Sequence, residues 1–156
     1  MDPKEVYSSH TMDNTPNFSF SGIETVCRLV DIYDGDTVFV IFEYHGTFIQ
    51  ISVRLEGVDA PEIRTKDLLE KQQGILARQK IIDLTCSDNE VDHTLTVESS
   101  RAEVQEHLKH ETVLVWLRCF DFEKYGRLLG NVSTYKNNVD IGRALIDSGL
   151  AKVYQT

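Results

Sequence analysis

The sequence predicts an α+β fold, a five-stranded OB-like β-barrel carrying two or three helices. Three observations carry this. Residues 24–55 form an apolar, β-rich block broken only at turn dipeptides, and residues 112–135 form a second. A seven-residue apolar repeat, the mark of a helix, lies between them. The length of 156 residues suits a single domain able to bury its own core. We assign residues 1–21 to a flexible tail and 22–156 to the barrel domain, with an excursion at about 87–111.

In order, residues 24–33 are rich in Val, Leu and Ile and read as the first strand. Asp34-Gly35 signals a turn. Residues 37–44 are apolar on both faces and read as a central strand, and His45-Gly46 turns the chain again. In the third strand Ile49, Ile51, Val53 and Leu55 share one face, so Arg54 points away from the core side of its strand. Pro61 bars helix before it. A helix then starts at Asp67, with Glu70 at the capping-box position. Leu68, Ile75 and Ile82, flanked by Leu69 and Leu76, are expected to face the core, and residues 86–89 end the helix. In the excursion, residues 94–97 suit a short strand and Ser100 to His110 a short helix with a thin apolar stripe. Residues 112–119 and 128–135 read as the fourth and fifth strands, joined by a loop at 120–127. Residues 140–148 read as a final helix closed by Gly149. The first 21 residues are polar and aperiodic, except for Phe18 and Phe20, a pair suited to docking on the body.

Composition narrows the function. No run of about 18 apolar residues is present, so no membrane helix is expected. Met1 to Glu5 lacks a charged-then-apolar pattern, and the three cysteines are odd in number without Cys-x-x-Cys spacing. A cytoplasmic chain with free thiols is the expectation. The net charge of -9 argues against a general nucleic-acid reader, whose affinity comes from excess Lys and Arg. No Gly-rich nucleotide loop or Gly-x-Ser-x-Gly elbow occurs.

Chemistry concentrates between Asp34 and Glu62. Asp36 opens the second strand, while Asp59 and Glu62 follow the third, its hairpin neighbour, so the three carboxylates should converge. Hard oxygen donors with positions left for water suit Ca²⁺ or Mg²⁺. Arg54 on the third strand and Arg127 far along the chain are the guanidiniums suited to gripping phosphate oxygens. Singly, each has an ordinary reading as a turn, cap or surface residue; the combination is what points to phosphodiester chemistry. His93, His107 and His110 lack a nearby Cys partner and make a poor zinc site. Cys27, Cys86, Cys119 and Trp116 lie in or beside apolar segments and read as core.

The runs Asp34-Gly35-Asp36-Thr37, Arg54-Leu55-x-Gly57-Val58-Asp59-x-Pro61-Glu62, Lys124-Tyr125-Gly126-Arg127 and Gly149-Leu150-Ala151-Lys152-Val153 together resemble the staphylococcal (micrococcal) nuclease family, in order over residues 24–154. The resemblance implies an OB-type barrel and a Ca²⁺-dependent nuclease cutting the phosphorus–O5′ bond of DNA or RNA to leave 3′-phosphate and 5′-hydroxyl ends. It implies Asp36, Asp59 and the backbone carbonyl of Ala60 as Ca²⁺ ligands. It gives Glu62 the role of general base, Arg54 and Arg127 that of transition-state stabilisers, and Lys124, Tyr125 and Tyr154 substrate contacts. Ala60 stands where many members carry Thr, a change a carbonyl ligand tolerates.

Two departures stand out. After the Gly149 run only Tyr154 recurs among the tyrosines that larger members carry, and the chain is acidic. Three carboxylates against two arginines leave one negative charge, which a divalent cation would turn into one positive charge. Weak, metal-dependent and salt-sensitive binding of a nucleic-acid substrate is therefore expected. The rival is a nuclease-like binding module without chemistry, but such modules usually lose some of these five side chains, and this chain keeps all of them.

Overall fold

The computed structural model describes residues 1–87 and 93–154. Along them run α1 (Pro3–Tyr7), β1 (Glu24–Ile32), β2 (Thr37–Tyr44), β3 (Thr47–Leu55), β4 (Val58–Asp59), α2 (Leu68–Cys86), α3 (Arg101–His110), β5 (Val113–Phe122), β6 (Leu128–Thr134), α4 (Ile141–Asp147) and β7 (Lys152–Val153). Five strands close a barrel in the order β1-β2-β3-β6-β5, while β4 and β7 form a separate pair. β3 and β6 run parallel; the other barrel pairings are antiparallel. The expected OB-like α+β architecture is present. The described helices number four rather than two or three, because Asp2 caps one extra turn, α1.

Local sequence explains the barrel. His45 and Gly46 both take positive φ, 50° and 78°, which makes the two-residue turn that matches strand twist and sets Tyr44 opposite Thr47. In β5 the period-two alternation sends Val113, Val115, Leu117 and Cys119 inward. That same alternation sends Trp116 outward, so it is not a core residue: it is 43% exposed and stacks on Tyr135 at 5.7 Å. Inside lie Leu29, Ile32, Val38, Val40, Phe42, Val53, Leu55 and Leu128, all buried, each worth about 1.5–3 kcal/mol in removed apolar surface. All three cysteines are free and buried, as expected. β5 runs on to Phe122, which pairs with Leu128 and shortens the loop expected at 120–127.

The helices depart from expectation in informative ways. On α2 the first half of the apolar stripe faces water, with Leu68 73% and Leu69 65% exposed. Its buried face is instead Gly74, Ala77, Arg78, Ile81, Ile82, Thr85 and Cys86, and at Gly74 and Ala77 the helix packs too closely on the chain beneath it for larger side chains. Asp67 caps it through Leu69 N and Glu70 N, whereas Glu70 reaches Glu62 N and Thr65 Oγ1 rather than closing a capping box.

Where it is described, the segment after α2 lies outside the barrel strands and packs against them. Ser100 and Glu103 close a full capping box on α3, and Val104 and Leu108 are completely buried against β1. Residues 93–97 form no strand; Leu95 is buried and Gln79 Nε2 donates to its carbonyl. The rest of that stretch, 88–92, lies outside the described residues. α4 ends as expected, Gly149 at φ 75° with Leu150 N–H donating to Leu145 O and Gly149 N–H to Ile146 O. In the N-terminal segment Phe20 docks, burying its ring against Phe42, Tyr44 and Phe122, while Phe18 stays exposed.

Candidate functional site

Antiparallel pairing of β2 with β3 sets Thr37 opposite Arg54, which brings the residue before β2 to the end of β3. Leu55 N–H donates to the Asp36 carbonyl at 2.8 Å and fixes that corner. The Asp36 carboxylate is 8% exposed as a residue and accepts from Thr37 Oγ1 at 3.0 Å and Ala60 N–H at 3.3 Å. Arg54 Nη2 stands 3.9 Å from its Oδ2.

A second element delivers the next two carboxylates. β4 ends on Asp59 and is held by β7, with Val58 opposite Val153 and Asp59 opposite Lys152, and Tyr154 N–H donates to Gly57 O. Sequence reading missed this two-stranded clasp, whose strands are too short for periodicity to show. Glu62 follows on the loop into α2, where a Cβ on Gly74 would meet Pro61 O at 2.7 Å and Glu62 O at 3.0 Å. The helix thus presses directly on the backbone that carries Glu62.

Arg127 arrives across the Gly126 turn at the mouth of β6. Its Nε and Nη2 donate to the two carboxylate oxygens of Glu123 at 2.6 and 3.2 Å, and its Nη1 to Thr37 Oγ1 at 3.0 Å. The hydrogen bonds to Glu123 raise its pKa further against the opposing effect of burial.

All five expected side chains, with Ala60, line one cleft of about 280 Å³. Tyr33, Asp34, Ile63 and Arg64 complete its wall. Lys124 and Tyr125 do not line it; they sit on the β5–β6 turn with Tyr125 80% exposed. Tyr154 is half exposed and takes the Arg54 guanidinium over its ring at 4.9 Å.

Asp34, Glu123 and Arg64 were not singled out from sequence. Asp34 reads as a turn former, and it does accept from Asp36 N–H at 3.0 Å. Burial and then the neighbouring Asp36 push its carboxyl up to about 7. The Asp-x-Asp spacing across a tight turn was the available signal.

Among the described residues no group of three or more His, Cys, Asp or Glu is arranged to hold a metal alone. The side-chain donors that line the cleft are nevertheless hard oxygens, the carboxylates of Asp36 and Asp59, with Ala60 beside them and its N–H donating to Asp36. Two carboxylates and a carbonyl, with water completing the shell, fit a partly hydrated Ca²⁺. Elsewhere His93 pairs with Asp83 and His110 with Glu106. Burial pushes the Cys27 thiol up to about 12 and Cys119 to about 11, which suits packing rather than nucleophilic attack.

A family model for staphylococcal nuclease homologues matches residues 52–156. The chain belongs to that family. The matched span includes Arg54, Asp59, Glu62 and Arg127 and begins after Asp36. In this staphylococcal nuclease homologue, then, two carboxylates of the cleft, Asp34 and Asp36, lie outside the matched residues and join the others at the corner made by the β2–β3 hairpin. A nuclease-like domain implies a nucleic-acid substrate. No curated protein matches the chain.

Proposed function

We propose that this chain is a Ca²⁺-dependent phosphodiesterase that hydrolyses DNA, RNA or both at the phosphorus–O5′ bond, leaving 3′-phosphate and 5′-hydroxyl ends. The observation that supports it is the single cleft lined by Asp36, Asp59, Glu62, Arg54 and Arg127, drawn from separate parts of the chain.

The roles are those the family resemblance implies, and the surroundings of several side chains support them. Asp36, Asp59 and the Ala60 carbonyl would hold Ca²⁺, which when bound supplies Lewis-acid polarisation of the phosphoryl group and reverses the local charge. Glu62 is exposed and forms no ion pair among the described residues, so its carboxylate is open to take a proton from the attacking water. Water attacks phosphorus opposite the 5′-oxygen and gives its proton to Glu62; the P–O5′ bond breaks and the departing 5′-oxygen takes a proton from solvent water. Arg54 and Arg127 donate to the phosphoryl oxygens as negative charge builds there. Three of the five Arg127 donors are engaged by Glu123 and Thr37, which leaves two for the substrate. Lys124 and Tyr125, on the turn leading to Arg127, and Tyr154, against Arg54, would contact the flanking nucleic acid.

Digestion of single-stranded DNA with Ca²⁺, against EDTA and against Glu62→Gln and Arg127→Ala, tests this. Each variant should lose about 10²–10³ in kcat. Activity that survives EDTA, or is unchanged in both variants, removes the assignment; binding without cleavage would favour a nuclease-like binding module.

A further inference from the structure

The cleft holds a third guanidinium to which the roles above give nothing to do. Arg64 lies two residues past Glu62 and lines the same wall. In a chain of net charge -9, and beside four carboxylates, an arginine would be expected to find an acidic partner. Arg54 has Asp36 and Arg127 has Glu123, yet Arg64 forms no ion pair among the described residues. It is exposed, and its guanidinium rests 5.2 Å from the ring centroid of Tyr33, which also lines the cleft.

Tyr33 is itself held from α3. The Arg101 guanidinium lies 4.7 Å from the ring centroid and is locked in place, donating through Nε at 3.0 Å and Nη2 at 2.6 Å to the buried Asp31 carboxylate. Of the two cations at this ring, one is fixed by a carboxylate and the other is free to leave. An unpaired guanidinium resting on an aromatic face, at the edge of a phosphate-binding cleft, offers an anion site that needs no ion pair broken.

We propose that Arg64, presented by Tyr33, binds the phosphate next to the scissile one on a single-stranded nucleic acid. This inference rests on the reading of the cleft as a phosphodiesterase site. It also gives the segment carrying Arg101 a purpose, as the support of that wall.

The test measures binding in a Glu62→Gln background, which blocks turnover, with Ca²⁺ and a short fluorescein-labelled oligothymidylate followed by anisotropy. Affinity is read against salt concentration for that parent and for added Arg64→Gln or Arg64→Lys. Loss of one phosphate contact should make the slope of log K against log salt shallower by about 0.7 in Arg64→Gln and weaken binding about tenfold at low salt. Arg64→Lys, which keeps the charge, should keep the slope. An unchanged slope and affinity in Arg64→Gln overturns the subsite and leaves the catalytic reading standing. Absence of Ca²⁺-dependent binding in the Glu62→Gln parent overturns both.

Discussion

Glu123, Arg127, Thr37 and Asp36 form one hydrogen-bonded chain: Arg127 donates to Glu123 and to Thr37 Oγ1, and Thr37 donates on to Asp36. Glu123 therefore sets the plane of a guanidinium proposed to meet the transition state, without touching substrate itself. Glu123→Gln keeps the shape but removes the charge-assisted clamp. kcat should fall about tenfold, less than in Arg127→Ala, since the guanidinium remains but is no longer aimed. The pair is partly exposed, so the stability cost should be about 0.5–1 kcal/mol, read by thermal unfolding. An unchanged kcat would show that Arg127 is aimed by something else. At this scale the five cleft residues were legible because they sit in distinctive runs. Glu123 was not, because a Glu four residues before an Arg usually means a solvated pair. Trp116 was legible in principle: the inward Val113, Val115, Leu117 and Cys119 already put it on the outer face.

Among elements, α2 shows where apolar periodicity misleads. Leu68, Leu69 and Leu76 suggested a buried stripe, yet the buried positions nearest the cleft are Gly74 and Ala77. The cause is close approach: a Cβ on Gly35 would meet Ala77 Cβ at 2.6 Å, and one on Gly74 would meet Pro61 O at 2.7 Å. Small residues let the helix seat against both the Asp34 turn and the Glu62 loop, and a hydrophobicity pattern cannot show that demand. Gly74→Ala weighs the two effects directly. Helix propensity alone favours Ala by about 1 kcal/mol. Here the new methyl meets backbone atoms, so overpacking of about 1–3 kcal/mol should win, with a lower Tm and reduced kcat as the Glu62 loop is displaced. A stabilised, fully active variant would show that the loop yields freely and does not depend on α2. The barrel strands, apart from the far end of β5, were legible within a residue or two, because alternation and turn dipeptides are local signals. The β4–β7 clasp and the docking of α3 were not, since both depend on contacts between distant parts of the chain.

For the whole molecule the question is how a chain of net charge -9 would hold a polyanion. In the cleft Asp36, Asp59 and Glu62 face Arg54, Arg64 and Arg127, three negative charges against three positive, and Asp34, with its carboxyl pushed up to about 7, adds only part of a charge at neutral pH. Surface charges beyond a Debye length of about 10 Å are largely screened at moderate salt, so the local balance weighs more than the global one. A divalent cation adds two positive charges and leaves that balance clearly positive. On the proposed reading the ion should therefore stabilise the fold as well as enable binding, because it binds the folded cleft and offsets the repulsion among its carboxylates. At a Ca²⁺ concentration about a hundredfold above Kd the linkage is about 2.7 kcal/mol, or roughly 5–10 °C in Tm for a chain of this size. The shift should vanish in EDTA and shrink sharply in an Asp36→Asn, Asp59→Asn double variant. If the double variant kept the full shift, the cation would be binding elsewhere, and the charge reversal that makes an acidic barrel receptive to phosphate would lose its basis.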